Sequence, residues 1–118
     1  MTFTLYHYKA MITEVYDGDT CTVDIDLGLR AWMREEKIRL NRINSPELRG
    51  GEKSKGILSR DFLRSLVLNK EVIIETFKDE KEKYGRYLAE IWLKTDGDNY
   101  LNVNDELVNK GYAEYKTY

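Results

Sequence analysis

Apolar residues in this chain mostly recur at every second position, in short runs separated by charged or glycine-containing turns. Lys9 to Val15 predicts a first strand, with Ala10, Ile12 and Glu14 on one side and Met11, Thr13 and Val15 on the other. Asp17-Gly18 is a strong hairpin signal. From Asp19 to Leu27 the alternation is clean. Cys21, Val23, Ile25 and Leu27 share one face, and Thr20, Thr22, Asp24 and Asp26 share the other. Gly28 to Arg34 reads as a loop or extended arm carrying Trp32. Lys37 to Ile43 predicts a third strand, with Ile43 out of phase at a bulge or at the strand's end.

Ser45-Pro46 stops that strand, because proline cannot donate to a ladder. A polar Gly-Gly loop, Leu48 to Lys53, leads into a helix from Ser54 to Leu68. Ile57, Leu58, Phe62, Leu66 and Val67 fall at helical spacing, and Arg60, Asp61 and Arg64 face outward. Glu71 to Phe77 predicts a fourth strand, Lys78 to Lys83 a charged turn, and Arg86 to Leu93 a fifth strand. Asp96-Gly97-Asp98 turns the chain. Asn102 then caps a short helix over Val103 to Lys110, with Gly111 as its stop. Tyr112 to Tyr118 is a tail with one extended segment. The expected fold is mainly β with helices (α+β): a five-stranded OB-fold barrel, a helix between strands three and four, and a short C-terminal helix.

The 118 residues suit one domain spanning the whole chain. Net charge is −2, which argues against a surface that grips nucleic acid everywhere by charge but leaves room for a local basic cleft. The one cysteine, Cys21, cannot form an internal disulfide and reads as a small buried hydrophobe. One Cys and one His cannot make a zinc site, and His7 reads as a surface or edge residue without a role. The first residues lack the basic and apolar regions of a signal peptide, and no apolar run is long enough to span a bilayer. A cytoplasmic setting, or a phage or other mobile element, is expected.

Candidate chemistry lies where strands give way to turns. Parity puts Asp19 on the apolar face of its strand, so its carboxylate should sit at the barrel rim. Glu47 follows a proline-stiffened turn, Arg39 sits on the third strand, and Arg86 follows Tyr84-Gly85 at the start of the fifth. Taken singly, each has a plainer account as a turn, strand or hairpin charge. The ordered set is more specific. Asp17-Gly18-Asp19-Thr20, then Arg39 followed by Ile43, Ser45-Pro46-Glu47, then Lys83-Tyr84-Gly85-Arg86 resembles the staphylococcal nuclease (thermonuclease) family, from about Lys9 to Gly111.

The resemblance implies a Ca²⁺-dependent endonuclease that hydrolyses DNA and RNA with little sequence specificity, acting as a monomer and away from membranes. It implies metal ligation by the Asp19 carboxylate, by Asn44 in place of the family's second aspartate, and by the Ser45 carbonyl. It gives Glu47 the role of general base, Arg39 and Arg86 the scissile phosphate, Tyr84 and Lys83 the substrate, and Asp17 a supporting place behind the metal ligands. Ca²⁺ favours such mixed oxygen donors, and arginine's fork matches two phosphate oxygens. Asn44 departs from the family pattern: an amide removes one negative charge from the ion's shell, so weaker metal affinity is expected. That change keeps an alternative open, an OB-fold module that binds nucleic acid or protein with its chemistry weakened. The family's stacking tyrosines near the C-terminus are not matched in register by Tyr112, Tyr115 or Tyr118, and packing is the expected role of Tyr112.

Overall fold

The computed structural model describes residues 1–116. Thr117 and Tyr118 lie outside them. Strands β1 (His7–Asp17), β2 (Thr20–Gly28) and β3 (Ala31–Leu40) form an antiparallel meander. The two-residue strand β4 (Ile43–Asn44) and helix α1 (Lys53–Val67) come next. β5 (Glu71–Lys81) pairs with the free side of β1, and β6 (Tyr87–Lys94) pairs with β5. β6 then runs parallel to β3, from Ile38 opposite Tyr87 to Leu40 opposite Ala89, and closes a five-stranded barrel. This is the OB arrangement expected from the strand pattern, with α1 between the third and fourth barrel strands.

β7 (Tyr100–Asn102) adds to the outside of β6, and leads into α2 (Val103–Asn109). Asn102 caps α2 as expected, accepting from the Asp105 N–H at 2.9 Å, and Gly111 adopts φ +83° beyond its end. β8 (Glu114–Tyr115) is the extended part of the tail and pairs antiparallel with β4. Tyr112 stacks on Phe62 with ring centroids 4.5 Å apart, a packing role. The barrel interior is filled by Ile12, Val23, Ile38, Leu40, Ile74 and Ile91, all fully buried. Cys21 is buried among them, which pushes its thiol pKa up.

Several expectations need correction. Of the two alternatives for Gly28 to Arg34, the extended arm forms and the loop does not: β2 and β3 continue as an exposed hairpin, turning through Leu29 (φ 53°) and Arg30 (φ 67°). Leu27 is exposed, because the hairpin projects beyond the barrel and its inner face meets no core there. Val15 joins the core with Ile12. A register shift between Ile12 and Glu14 inserts Thr13 as an extra residue and reverses the parity of the strand beyond it. In α1 the buried stripe is Gly56, Ser59, Leu63 and Val67, while Leu58 is exposed. The helix packs so closely on the barrel that small residues take the inner positions. β5 continues to Lys81 through a bulge at Lys78 and Asp79, both at positive φ. The His7 side chain is covered rather than exposed. It accepts from the Thr4 N–H at 2.8 Å and lies 3.6 Å from Glu75.

Candidate active site

The β1–β2 turn is tied down from three sides. Asp17 Oδ1 accepts from the Asp19 N–H at 3.0 Å, which bends the turn on itself. The Asp19 carbonyl accepts from the Leu40 N–H at 2.9 Å, joining the turn to the end of β3. Gly18 nests against α1 and the β4 segment. A Cβ there would lie 2.7 Å from Ser45 Cβ and 2.8 Å from Ser59 Cβ, so no larger residue fits without displacement. Gly56 does the same from the helix side, where a methyl group would run into the Glu47 carbonyl. Two glycines thus bring the turn, the Ser45-Pro46-Glu47 corner and α1 into one rim.

Asp19 is 6% exposed, and Arg39 beside it is 7% exposed. Arg39 Nη2 lies 3.3 Å from Asp19 Oδ2 and 3.3 Å from Asn44 Oδ1, and Nη1 donates to the Leu40 carbonyl at 2.8 Å. Asp19 Oδ2 also accepts from the Ser45 N–H at 2.9 Å, and Oδ1 accepts from the Thr20 hydroxyl at 3.2 Å. That hydroxyl in turn accepts from Arg86 Nη1 at 3.2 Å. Thr20 therefore links the two arginines through one carboxylate. Arg86 forks onto Glu82 through Nε and Nη2 at 3.1 and 3.0 Å. This pairing holds Glu82 below the usual carboxylate range and raises Arg86, so both stay ionised.

Asp17, Asp19, Arg39, Asn44, Ser45 and Arg86 thus come together in one network. Glu47 does not join their hydrogen-bond network. Its carboxylate is 64% exposed and accepts from Arg49 Nε at 3.3 Å. It does line the same open cleft of about 1080 Å³ as Thr20, Tyr84 and Arg86. Tyr84 is 71% exposed on that cleft, with Lys83 Nζ 5.0 Å and Arg86 Cζ 5.5 Å from its ring centre. No role for Thr20, Glu82, Gly56 or Ser59 was expected from the sequence. The one available signal was Gly56 inside a helical pattern, a costly choice that marks close backbone approach.

The rim gathers oxygen atoms, of which Asp19 Oδ2 and Asn44 Oδ1 both face Arg39. They come from the carboxylates of Asp17 and Asp19, the Asn44 amide and the Ser45 carbonyl. Asp17 is pushed up to about 6, first by burial and then by the charge of Asp19, so its ionised form is disfavoured there. The Ser45 hydroxyl is buried and finds no hydrogen-bond partner among the described residues. No cluster of three or more His, Cys, Asp or Glu forms among those residues, so the carboxylate count is low for tight metal binding. No helix among them is long and apolar enough to cross a membrane.

Comparison with known proteins places the chain in a family. The family model described as "Staphylococcal nuclease homologue" matches residues 37–118. The chain is 32% identical over 111 residues to the thermonuclease of Staphylococcus intermedius and 30% identical over 110 residues to that of Staphylococcus hyicus. It is 33% identical over 129 residues to an uncharacterized protein of Methanocaldococcus jannaschii. These matches cover 91 to 92% of this chain, which spans only 58 to 60% of the length of those relatives.

Proposed function

The chain belongs to the staphylococcal nuclease family, and from that premise we propose that it hydrolyses internal phosphodiester bonds of DNA or RNA with Ca²⁺ as cofactor. The observation that carries this reading is the buried Asp19–Arg39 pair, joined through the Thr20 hydroxyl to Arg86, with Thr20 and Arg86 lining the same cleft as Glu47. A structural ion pair gains little by being buried at an open rim, because desolvation offsets much of its attraction. A pair that must meet both a cation and a phosphate has reason to be there.

Asp19, Asn44 and the Ser45 carbonyl would hold the ion, with Asp17 behind them. Bound there, Ca²⁺ supplies charge that offsets the negative phosphate oxygens. Arg39 and Arg86 bind the scissile phosphate and stabilise the charge it gains, and Glu82 orients the Arg86 guanidinium. Glu47 leaves Arg49 to accept a proton from the attacking water, a contribution of about 10²–10⁴-fold. Tyr84 and Lys83 border the substrate. None of these groups reads base edges, which agrees with low sequence preference. Asn44 in place of a carboxylate, together with Glu47 paired to Arg49, supports a second reading in which the rim binds nucleic acid or protein without cutting it.

Plasmid nicking across a Ca²⁺ titration, with a chelator control, separates the two. The hydrolytic reading expects chelator-sensitive nicking that falls by about 10²-fold or more in Glu47→Gln, while the melting temperature stays unchanged. Nicking that ignores the chelator, or a Glu47→Gln variant as active as the parent, rules that reading out. No cleavage at any Ca²⁺ concentration leaves the binding module.

A further inference from the structure

The cleft extends beyond the residues placed at the reaction centre. Its far wall is α1, which contributes Arg60 and Arg64, and its floor includes the outer side of β1, where Tyr16 stands 68% exposed. In a chain of net charge −2, this lining carries Lys37, Arg49, Arg60, Arg64 and Arg86 against the carboxylates of Glu14 and Glu47. Arg64 is held in place. Its Nε and Nη2 both donate to the Val15 carbonyl, at 3.3 and 3.1 Å, which fixes the guanidinium next to Tyr16 in the chain. Arg60 is restrained only by its sequence neighbour Asp61, at 3.2 Å. An exposed aromatic ring lining one cleft with an anchored guanidinium and a second, freer one is an arrangement that can bind a nucleic-acid strand by base stacking and phosphate contact.

We propose that Tyr16, Arg60 and Arg64 form a second nucleotide subsite, remote from the reacting phosphate. A base of the bound strand stacks on Tyr16, and the two arginines take the phosphates beside it. The proposal rests on the reading of the cleft as a nucleic-acid site, but not on cleavage. It assigns the strand a direction: from Arg86 and Tyr84 at the mouth, along the outer face of β1 and β2, to α1. A mononucleotide engages the mouth alone, whereas an oligonucleotide spans both sites.

The test is fluorescence anisotropy with a labelled single-stranded octanucleotide and, as competitor, a nucleoside bisphosphate, both in chelator so that nothing is cut. Tyr16→Ala is expected to weaken octanucleotide binding roughly tenfold, and Tyr16→Phe to restore it. Arg60→Gln is expected to lower the salt dependence of that binding by about 0.7 in log–log slope. Bisphosphate affinity should not change in any of these variants. Tyr16 is exposed and Arg60 half-buried, so melting curves verify that each variant folds. If the parent binds the octanucleotide and the variants bind it equally well, the subsite is refuted while the nuclease reading stands. If the parent binds no octanucleotide, the subsite is refuted, and the hydrolytic reading fails with it only where the parent also does not nick plasmid with Ca²⁺. If the variants weaken binding but the parent does not nick plasmid with Ca²⁺, the subsite stands and the hydrolytic reading fails.

Discussion

Replacing Gly56 by alanine should destabilise this protein, although the same change inside an ordinary helix is stabilising. Alanine gains about 1 kcal/mol over glycine from helix propensity alone. Here a Cβ would overlap the Glu47 carbonyl oxygen, lie 2.7 Å from its carbon and 3.0 Å from the Pro46 oxygen. Those atoms are backbone, so no side chain can rotate out of the way, and either α1 or the Pro46-Glu47 corner must move. Overpacking of this kind costs about 1–3 kcal/mol. With main chain as the obstacle the upper part of that range applies, leaving a net loss of about 1–2 kcal/mol after the propensity gain. For a domain of this length that is a fall of about 4–8 °C in melting temperature. Activity should fall further than stability, because the moved segment carries Glu47 and a shift near 1 Å costs about 10²-fold. Urea unfolding and plasmid nicking measure the two effects. Gly51→Ala is the control, since nothing lies within 4 Å of its added methyl. A Gly56→Ala protein with a higher unfolding midpoint than the parent would refute the close approach and the account of how Glu47 is placed.

Asp17 is pushed up to about 6 by burial and by Asp19, so its ionised form is disfavoured in the fold. The associated stability is complete below the ordinary value of 3.8 and is lost as pH rises through about 6. Such a shift corresponds to at most about 3 kcal/mol, reduced by partial solvent access to about 1–2 kcal/mol. In chelator, Asp17→Asn should therefore raise the melting point at pH 8 and leave it nearly unchanged at pH 4; parallel pH profiles for parent and variant would contradict this. Asn44→Asp should tighten Ca²⁺ binding roughly tenfold by calorimetry, because a full charge joins the ion's shell; unchanged affinity would place Asn44 outside it. Glu90, buried on β6, accepts from Arg42 at 2.6 and 3.1 Å and from Asn102 at 3.0 Å. Glu90→Gln should cost about 1–3 kcal/mol in urea unfolding, without change in the Ca²⁺ response.

Most of the barrel was legible in the chain, because strands buried on one face alternate and turns at Asp17-Gly18, Ser45-Pro46 and Tyr84-Gly85 interrupt them. The parity that carried Asp19 onto the apolar face of β2 was enough to predict a carboxylate at the rim, and there it lies beside Arg39. Alternation failed where its cause was absent. The β2–β3 hairpin extends past the core, so Leu27 to Trp32 had no buried face to reveal. At Thr13 a single inserted residue reversed the parity and moved Val15 inward. A one-dimensional pattern cannot hold contacts between segments distant in sequence. Thr20 bridges Asp19 to Arg86, 66 residues away, and a hydroxyl acquires that role only when two loops meet. The wall that α1 raises on the cleft lined by Tyr16 likewise depends on how the helix seats against the barrel. Local periodicity determined which faces are buried, since it arises from the backbone repeat of each segment. Tertiary packing decided which polar groups share a cleft, since that depends on the separation of side chains brought together only by folding.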